Sequence, residues 1–149
     1  GVYCPHGICL GFSIMRASEG ETMVFQMFYN RFEKAPLLIM YDRACSLKTS
    51  CDLREPLFFY NTRFLIDVLH ASNHVDCSEG FDPRIARRAS SLSAFSVFIN
   101  TQVAEQADRL LARLPKSTGF MSPAHATLYV RMFLAGHNRA KKKELAKID

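Results

Sequence analysis

Tryptophan is absent from the 149-residue chain, and glycine and proline are scarce, with seven and six residues respectively. Together with twelve phenylalanines and 48% hydrophobic residues, this composition excludes a low-complexity or disordered segment. No apolar run approaches the roughly 20 residues that a membrane-spanning helix needs. A chain of this length corresponds to one folded domain. We therefore expect a single domain over residues 1–149 and no membrane partner.

A secretion signal is also lacking. The chain starts at Gly1-Val2-Tyr3-Cys4, without a Met, a basic segment or a signal-type apolar segment. We expect it to be a fragment of a longer protein whose first strand precedes Gly1. The cysteines are odd in number, five, which is unusual for a disulfide scaffold. Reduced thiols and a nuclear or cytoplasmic location, rather than secretion, are therefore expected.

Negative charge is under-represented, with 14 acidic against 19 basic side chains and a formal net charge of +5. The basic residues concentrate in the C-terminal part of the chain. This distribution favours DNA as a partner, although a solvated basic helix end is an equally good interpretation. Self-association is compatible with the sequence as well. The candidate phosphate contacts are Arg84, Arg87, Arg88, Arg139, Lys141, Lys142 and Lys143.

Strand-like and helix-like periods alternate in the first half of the chain. Clean alternation over Ile8–Arg16 predicts a strand, and a capping box starting at Ser18 predicts the beginning of a helix over Glu21–Glu33. Short apolar runs predict further strands, and the run after Asp42 predicts a short helix. These segments are the strands Leu37–Tyr41, Phe58–Tyr60 and Phe64–Ile66 and the helix Ala44–Leu53.

The second half of the chain is predicted to be helical. Thr101–Leu114 has one apolar stripe, and Ser122-Pro123 is typical of a helix start. The last helix is expected over Ala124–Gly136, with Leu128, Met132 and Phe133 inward, and a helix that resumes after Asn138 with the basic tail is left as an alternative. The predicted fold class is α/β, a partly parallel sheet flanked by helices over about residues 1–83, followed by a helical part over 84–149.

Asp42 follows an apolar strand directly. Open α/β sheets place their sites at the carboxyl ends of strands, where acids can hold Mg²⁺ or Mn²⁺ for phosphodiester cleavage. The commoner role of such an Asp is to cap the next turn or helix. Asp67 follows a second apolar run in the same way. It is predicted either to be a second metal ligand or to orient His70.

A cluster of metal-ligating residues follows Asp67. His70, His74 and Cys77 have the spacing H-x3-H-x2-C, and they offer three of the ligands that tetrahedral Zn²⁺ requires. Cys45, or Cys4 with His6, could complete the site. Two polar surface histidines and a buried cysteine are the alternative interpretation, and a water in the fourth place would permit zinc hydrolysis.

Glu105 lies in a polar patch between two apolar segments. Thr101 and Glu105 are four residues apart and share one helix face, which would suit a helix that brings the last acid to a catalytic edge. An ordinary exposed helical glutamate fits the pattern about as well.

These motifs, in this order, resemble those of the Kyakuja–Dileera–Zisupton transposases and their domesticated relatives. The resemblance extends over roughly Cys4–Arg139. It rests on Cys4-Pro5-His6-Gly7, on Tyr41-Asp42-Arg43-Ala44-Cys45-Ser46-Leu47, on Asn61-Thr62-Arg63-Phe64-Leu65-Ile66-Asp67 with His70, His74 and Cys77-Ser78, and on Asn100-Thr101-Gln102 with Glu105-Gln106.

The resemblance implies a ribonuclease H-like core that cuts and joins DNA with divalent metal. It makes Asp42 the second acid and Glu105 the last. The family's first acid would lie upstream of Cys4, and no acid before Asp42 ends an apolar strand. The sequence therefore predicts a transposase-type nuclease or strand-transfer core fragment, catalytically inactive if the first acid is missing altogether. The alternative is a non-catalytic, zinc-stabilised module that binds DNA or protein.

Overall fold

The computed structural model describes residues 1–14, 20–67, 70, 78–85, 102–112, 114 and 116–147. The backbone contacts divide the chain into two compact units. The terminal unit comprises Gly1–Ile14 and Gln102–Asp149, and the central unit comprises Met15–Thr101. The expected single domain with a division near residue 83 stays a prediction.

The described fold is mixed α/β and mostly helical. In the central unit, the order is helix α1 (Glu21–Arg31), strand β3 (Leu38–Met40), helices α2 (Ala44–Arg54) and α3 (Pro56–Phe59), and strand β4 (Arg63–Leu65). In the terminal unit, strands β1 (Val2–Tyr3) and β2 (Cys9–Gly11) form a hairpin, and helices α4 (Val103–Leu111) and α5 (Pro123–Leu145) follow. Two 3-10 turns span Glu79–Phe81 and Lys116–Phe120.

Strands β3 and β4 pair in parallel, with Leu38 opposite Arg63 and Met40 opposite Leu65. The predicted partly parallel arrangement is thus confirmed for these two strands. Their apolar residues on both faces suit a covered sheet: Ile39 is 3% exposed and Phe64 is 4% exposed. Helix α2 packs on α1 and on β4, and it completes the crossover between the two strands.

The core of the central unit is aromatic. Phe59 stands at its middle, with its ring centroid 5.8 Å from that of Phe25, 4.8 Å from that of Phe58 and 6.1 Å from that of Phe64. Leu47 and Cys51, one turn apart on α2, are completely buried. This packing explains why α2 is stable although its sequence is only weakly amphipathic.

The predicted strand over Phe58–Tyr60 is wrong. Residues Pro56–Phe59 form a helical turn with Pro56 in its first turn, where its missing N–H group is not needed. A short apolar run does not by itself distinguish a buried strand from a buried helix. Here the turn directs Phe58 and Phe59 at the aromatic core.

The predicted start of α1 at Glu21 is confirmed, but its N-cap is Gly20, which provides no side-chain cap. Ser18 lies outside the described residues. Glu21 instead forms an ion pair with Arg43, with Oε1 2.8 Å from Nη2. The helix ends two residues earlier than predicted, at Arg31.

The predicted strand over Ile8–Arg16 is shorter in the structure, where β2 ends at Gly11; Met15 and Arg16 lie outside the described residues. Its partner β1 has only two residues, so the ladder cannot extend further. The side chain of Asn138 binds the backbone of Cys9 through two hydrogen bonds. Its Oδ1 accepts one from the Cys9 amide, and its Nδ2 donates the other to the Cys9 carbonyl. Both bonds are 2.8 Å long.

Helix α5 begins as predicted and ends nine residues later, at Leu145 rather than Gly136. Ser122 is the N-cap, accepting a hydrogen bond from the His125 amide, and Pro123 occupies the first turn. The helix continues through Gly136 because the residues after it are held against the hairpin. His137 Nε2 donates to the Gly7 carbonyl at 2.8 Å, and Asn138 binds Cys9.

The predicted inward positions on α5 are partly wrong. Leu128 is 53% exposed and Met132 is 66% exposed, whereas Leu134 is buried and Phe133 is intermediate. The hydrogen bonds of His137 and Asn138 fix which face of α5 meets the hairpin, and that face excludes Leu128 and Met132. None of the helices in the described ranges combines the length and apolar content of a membrane span.

Candidate functional site

The carboxyl edge of the central sheet is the first candidate site. The ladder continues one step past Met40, since the Tyr41 amide donates to the Leu65 carbonyl at 3.0 Å. Asp42 and Asp67 each lie two residues beyond the Met40–Leu65 pair. The parallel register therefore places two acids at corresponding positions on the same edge of the sheet.

Asp42 follows β3 and precedes α2. Its Oδ1 accepts a hydrogen bond from the Arg43 amide at 2.9 Å. Arg43 is itself the N-cap of α2, so Asp42 does not satisfy the amides of the first helical turn. No other hydrogen bond or ion pair of this carboxylate is found within the described ranges. The predicted capping role of Asp42 is thus limited to the bond from the Arg43 amide, which uses one of its two oxygens.

Asp67 is bound to His70. Its Oδ1 accepts from the His70 amide at 3.1 Å, and its Oδ2 is hydrogen-bonded to His70 Nδ1. Because a carboxylate only accepts hydrogen bonds, Nδ1 carries the hydrogen. Any metal bound by this imidazole would therefore be bound through Nε2. Of the two predicted roles of Asp67, the orienting role has direct geometric support.

Asp82 is a third acid next to this edge that was not predicted from the sequence. The Ile66 amide, one residue past β4, donates to the Phe81 carbonyl at 2.9 Å, which brings the 3-10 turn against the strand. Both Asp82 oxygens accept hydrogen bonds from Arg84, including one of 2.7 Å from Nη2. These bonds hold the pKa of Asp82 below its ordinary value. The acid-x-base spacing D-P-R could have revealed the pair in the sequence.

Arg84 is therefore less suited to contacting DNA phosphates than predicted, because its guanidinium group is bound to Asp82. The same hydrogen bonds raise the pKa of Arg84. Arg87 and Arg88 lie outside the described residues.

The predicted zinc cluster is described only in part. His74 and Cys77 lie outside the described residues, and His70 is exposed on the central unit. Within the part of the chain that the structure describes, no three His, Cys, Asp or Glu side chains form a group suited to a metal ion. Of the proposed fourth ligands, Cys45 lies on α2 in the central unit, whereas Cys4 and His6 lie in the hairpin of the terminal unit.

Glu105 lies in the first turn of α4, half-buried, where an acid interacts favourably with the helix dipole. It belongs to the terminal unit, whereas Asp42 belongs to the central unit. The predicted sharing of a metal ion by Asp42 and Glu105 therefore stays a prediction. Thr101, its predicted neighbour on the helix face, lies outside the described residues.

The basic end of α5 is the second candidate site. Arg139, Lys142 and Lys143 are exposed. Lys141 faces the hairpin instead: its Cε lies 3.7 Å from where a Cβ on Gly7 would stand, and its Nζ is 2.7 Å from Glu144 Oε2. Gly7 has φ +81°, a left-handed conformation that favours glycine. The hairpin thus positions one lysine and leaves the other three basic side chains to solvent.

Comparison with known proteins adds no assignment: no family, no curated protein and no solved structure matches the chain.

Proposed function

We propose that the chain is part of a DNA-cleaving or strand-transfer core of the transposase type, with a ribonuclease H-like arrangement and an active centre at the carboxyl edge of β3 and β4. The observation that best supports this proposal is the register of the two strands, because it gives Asp42 and Asp67 corresponding positions at that edge. The sequence motifs that resemble the Kyakuja–Dileera–Zisupton transposases include both acids.

The edge of the sheet provides some, but not all, of the ligands that a divalent cation needs. Asp42 offers a carboxylate oxygen with no partner in the described ranges, and hard cations such as Mg²⁺ and Mn²⁺ prefer oxygen ligands. An ion bound there would supply an activated water and would stabilise the leaving oxygen in phosphodiester cleavage. The resemblance makes Glu105 a further ligand, and the DNA phosphate itself would be another.

Electrostatics agree with a nucleic-acid substrate. The chain carries a net charge of +5, and Arg139, Lys142 and Lys143 form an exposed basic end on α5. Contacts between such side chains and phosphates release counterions, so binding would weaken steeply with salt. We assign the protein to the nucleus on the same grounds, since chromosomal DNA is the substrate that the proposal requires.

Plasmid nicking tests the proposal. Wild-type protein is incubated with supercoiled plasmid and Mg²⁺ or Mn²⁺, next to Asp42→Ala and to Asp52→Ala. Asp52 is an exposed acid of the same unit that pairs with Lys48, so its loss controls for the general effect of removing a carboxylate. Metal-dependent nicking that Asp42→Ala abolishes and Asp52→Ala retains supports the proposal. Equal nicking by all three proteins contradicts it.

A second candidate function is a non-catalytic module stabilised by zinc that binds DNA or protein. The Asp67–His70 hydrogen bond favours it, because carboxylates commonly hold the Nδ1 atom of zinc-bound histidines and so fix the metal-binding tautomer. His70, His74 and Cys77 would be the ligands, with Cys45 or Cys4 and His6 completing the set. Zinc content measured on purified protein, with His70→Asn as the comparison, tests this candidate. A fully folded, zinc-free protein contradicts it.

A further inference from the structure

Helix α5 has two faces of different character. One face holds the hairpin through His137, Asn138 and Lys141, as described above. Beside that face, a stripe of exposed residues recurs along the helix at alternating intervals of four and three. We call this the α5 stripe, and its members are Leu128, Met132, Ala135, Arg139 and Lys142.

The α5 stripe changes chemistry along its length. Its first half is apolar, with Leu128 53% exposed and Met132 66% exposed, followed by the small Ala135. Gly136, beside it, has open space where a Cβ would stand. The second half is basic, with Arg139 and Lys142 in line and Lys143 next to them. The only acid on α5 is Glu144, which is paired with Lys141.

The interval of 3.5 residues is the period at which one helix packs along another. We propose that the α5 stripe is a docking surface for an amphipathic helix of a partner protein, whose apolar residues cover Leu128 and Met132 and whose acidic residues meet Arg139, Lys142 and Lys143. The basic half of the stripe is complementary to acidic residues at one end of the partner helix. The exposed apolar half is complementary to apolar residues along the rest of that helix.

Other occupants fit the stripe less well. DNA phosphates would use its basic half and leave Leu128 and Met132 uncovered. In an antiparallel pair of copies that overlap along the whole stripe, the apolar half of each helix would face the basic half of the other. In a parallel pair, basic residues would face each other. The antiparallel pair would place unpaired charges against apolar side chains, and the parallel pair would place like charges against each other. Both effects weaken binding.

Both proposals use the exposed Arg139, Lys142 and Lys143, but their tests are separate. Plasmid nicking by Asp42→Ala tests the nuclease, and peptide binding by the Leu128 and Met132 variant tests the stripe. The test uses the full chain and a synthetic peptide of about 21 residues, long enough to form a helix, with leucines at heptad spacing and glutamates at one end. A scrambled peptide of the same composition and a DNA duplex of about 20 base pairs serve as competing probes. Binding is measured by fluorescence anisotropy.

Three double variants separate the contributions. Leu128→Ser with Met132→Ser removes the apolar half without changing charge. Lys142→Gln with Lys143→Gln weakens the basic half. Leu53→Ser with Leu57→Ser is the matched control, because these leucines are 81% and 85% exposed on α2 and α3. Circular dichroism establishes that each variant is folded.

We expect the peptide to bind wild type and the control variant more tightly than the scrambled peptide does. The Leu128 and Met132 variant should lose at least about tenfold in peptide affinity and keep its affinity for DNA. The lysine variant should lose affinity for both probes. Equal binding of the two peptides, unchanged peptide affinity in the Leu128 and Met132 variant, binding of DNA alone, or self-association that this variant abolishes would each overturn the proposal.

Discussion

Asp42 and Asp67 occupy corresponding positions on two hydrogen-bonded parallel strands, each two residues past the Met40–Leu65 pair. The pairing explains how acids 25 positions apart in the sequence come to one edge of a sheet. The two acids nevertheless differ in their surroundings. Both oxygens of Asp67 are bound to His70, whereas Asp42 has one oxygen bound to a backbone amide. In the proposed function, Asp67 is accordingly a positioning residue and Asp42 is the metal ligand.

Replacing Leu47 by Ala should lower the free energy of unfolding by about 2–5 kcal/mol, because a completely buried leucine leaves a cavity. Leu57→Ala removes the same atoms from a side chain that is 85% exposed and should change stability by about 0.5 kcal/mol or less. Urea unfolding of both variants checks this. Equal losses would place Leu47 outside the core of the central unit.

Asn138→Ala should destabilise the contact between the hairpin and α5 by about 1–3 kcal/mol, because it leaves the Cys9 amide and carbonyl without their side-chain partner. Hydrogen exchange of the Cys9 amide is the direct measurement, and its exchange should become faster. Arg139→Ala, at the exposed neighbouring position, is the control and should leave this exchange unchanged. Slow exchange in both variants would show that Asn138 does not hold the strand.

Cys51 should be unreactive towards alkylating agents in the native protein, whereas the half-buried Cys4 and Cys45 should react. Burial raises the pKa of the Cys51 thiol to about 11, so the nucleophilic thiolate is scarce at pH 8. Mass spectrometry after brief iodoacetamide treatment would identify the modified residues. Rapid modification of Cys51 in folded protein would contradict its burial.

The same thiol gives a pH dependence of stability. Because the pKa of Cys51 is higher in the folded than in the unfolded chain, its contribution is present below pH 9 and is lost between about pH 9 and pH 11. The loss of stability over this range should be smaller in Cys51→Ala than in wild type. Identical slopes for the two proteins would show that the thiol does not contribute.

Asp82 should titrate below its ordinary pKa of 3.8 because Arg84 donates hydrogen bonds to both of its oxygens. The stabilisation exists above that ordinary pKa and is lost as the pH falls through the lowered one. Arg84→Gln should return the pKa of Asp82 towards its ordinary value, as measured by NMR titration of the side-chain carboxyl carbon. An unchanged pKa in this variant would mean that Arg84 does not pair with Asp82 in solution.

The elements best predicted from the sequence are those with local determinants. Pro36 and Asp42 bound β3, and Ser122 with Pro123 fixes the start of α5, so both were placed within a residue. The wrong predictions concern segments whose secondary structure is determined by tertiary contacts. Phe58 and Phe59 turn into a helix because the aromatic core requires them there, and α5 passes Gly136 because Asn138 and His137 bind the hairpin.

The candidate site shows the same distinction. Asp42 and Asp67 were recognisable as acids after apolar runs, but only strand pairing could show that they share an edge. The Asp67–His70 bond was one of two predicted roles, and i,i+3 spacing made it accessible from the sequence. Asp82 was missed because its approach to β4 depends on the Ile66–Phe81 hydrogen bond, which no local pattern encodes.

Isothermal titration with Mn²⁺ tests most directly whether the carboxyl edge of β3 and β4 is a divalent-metal site. Wild type, Asp42→Asn and Asp52→Asn should be compared at low ionic strength in the presence of a short duplex. We predict that wild type and Asp52→Asn bind Mn²⁺ with the same affinity and that Asp42→Asn loses the site. Equal binding by Asp42→Asn and wild type would contradict it.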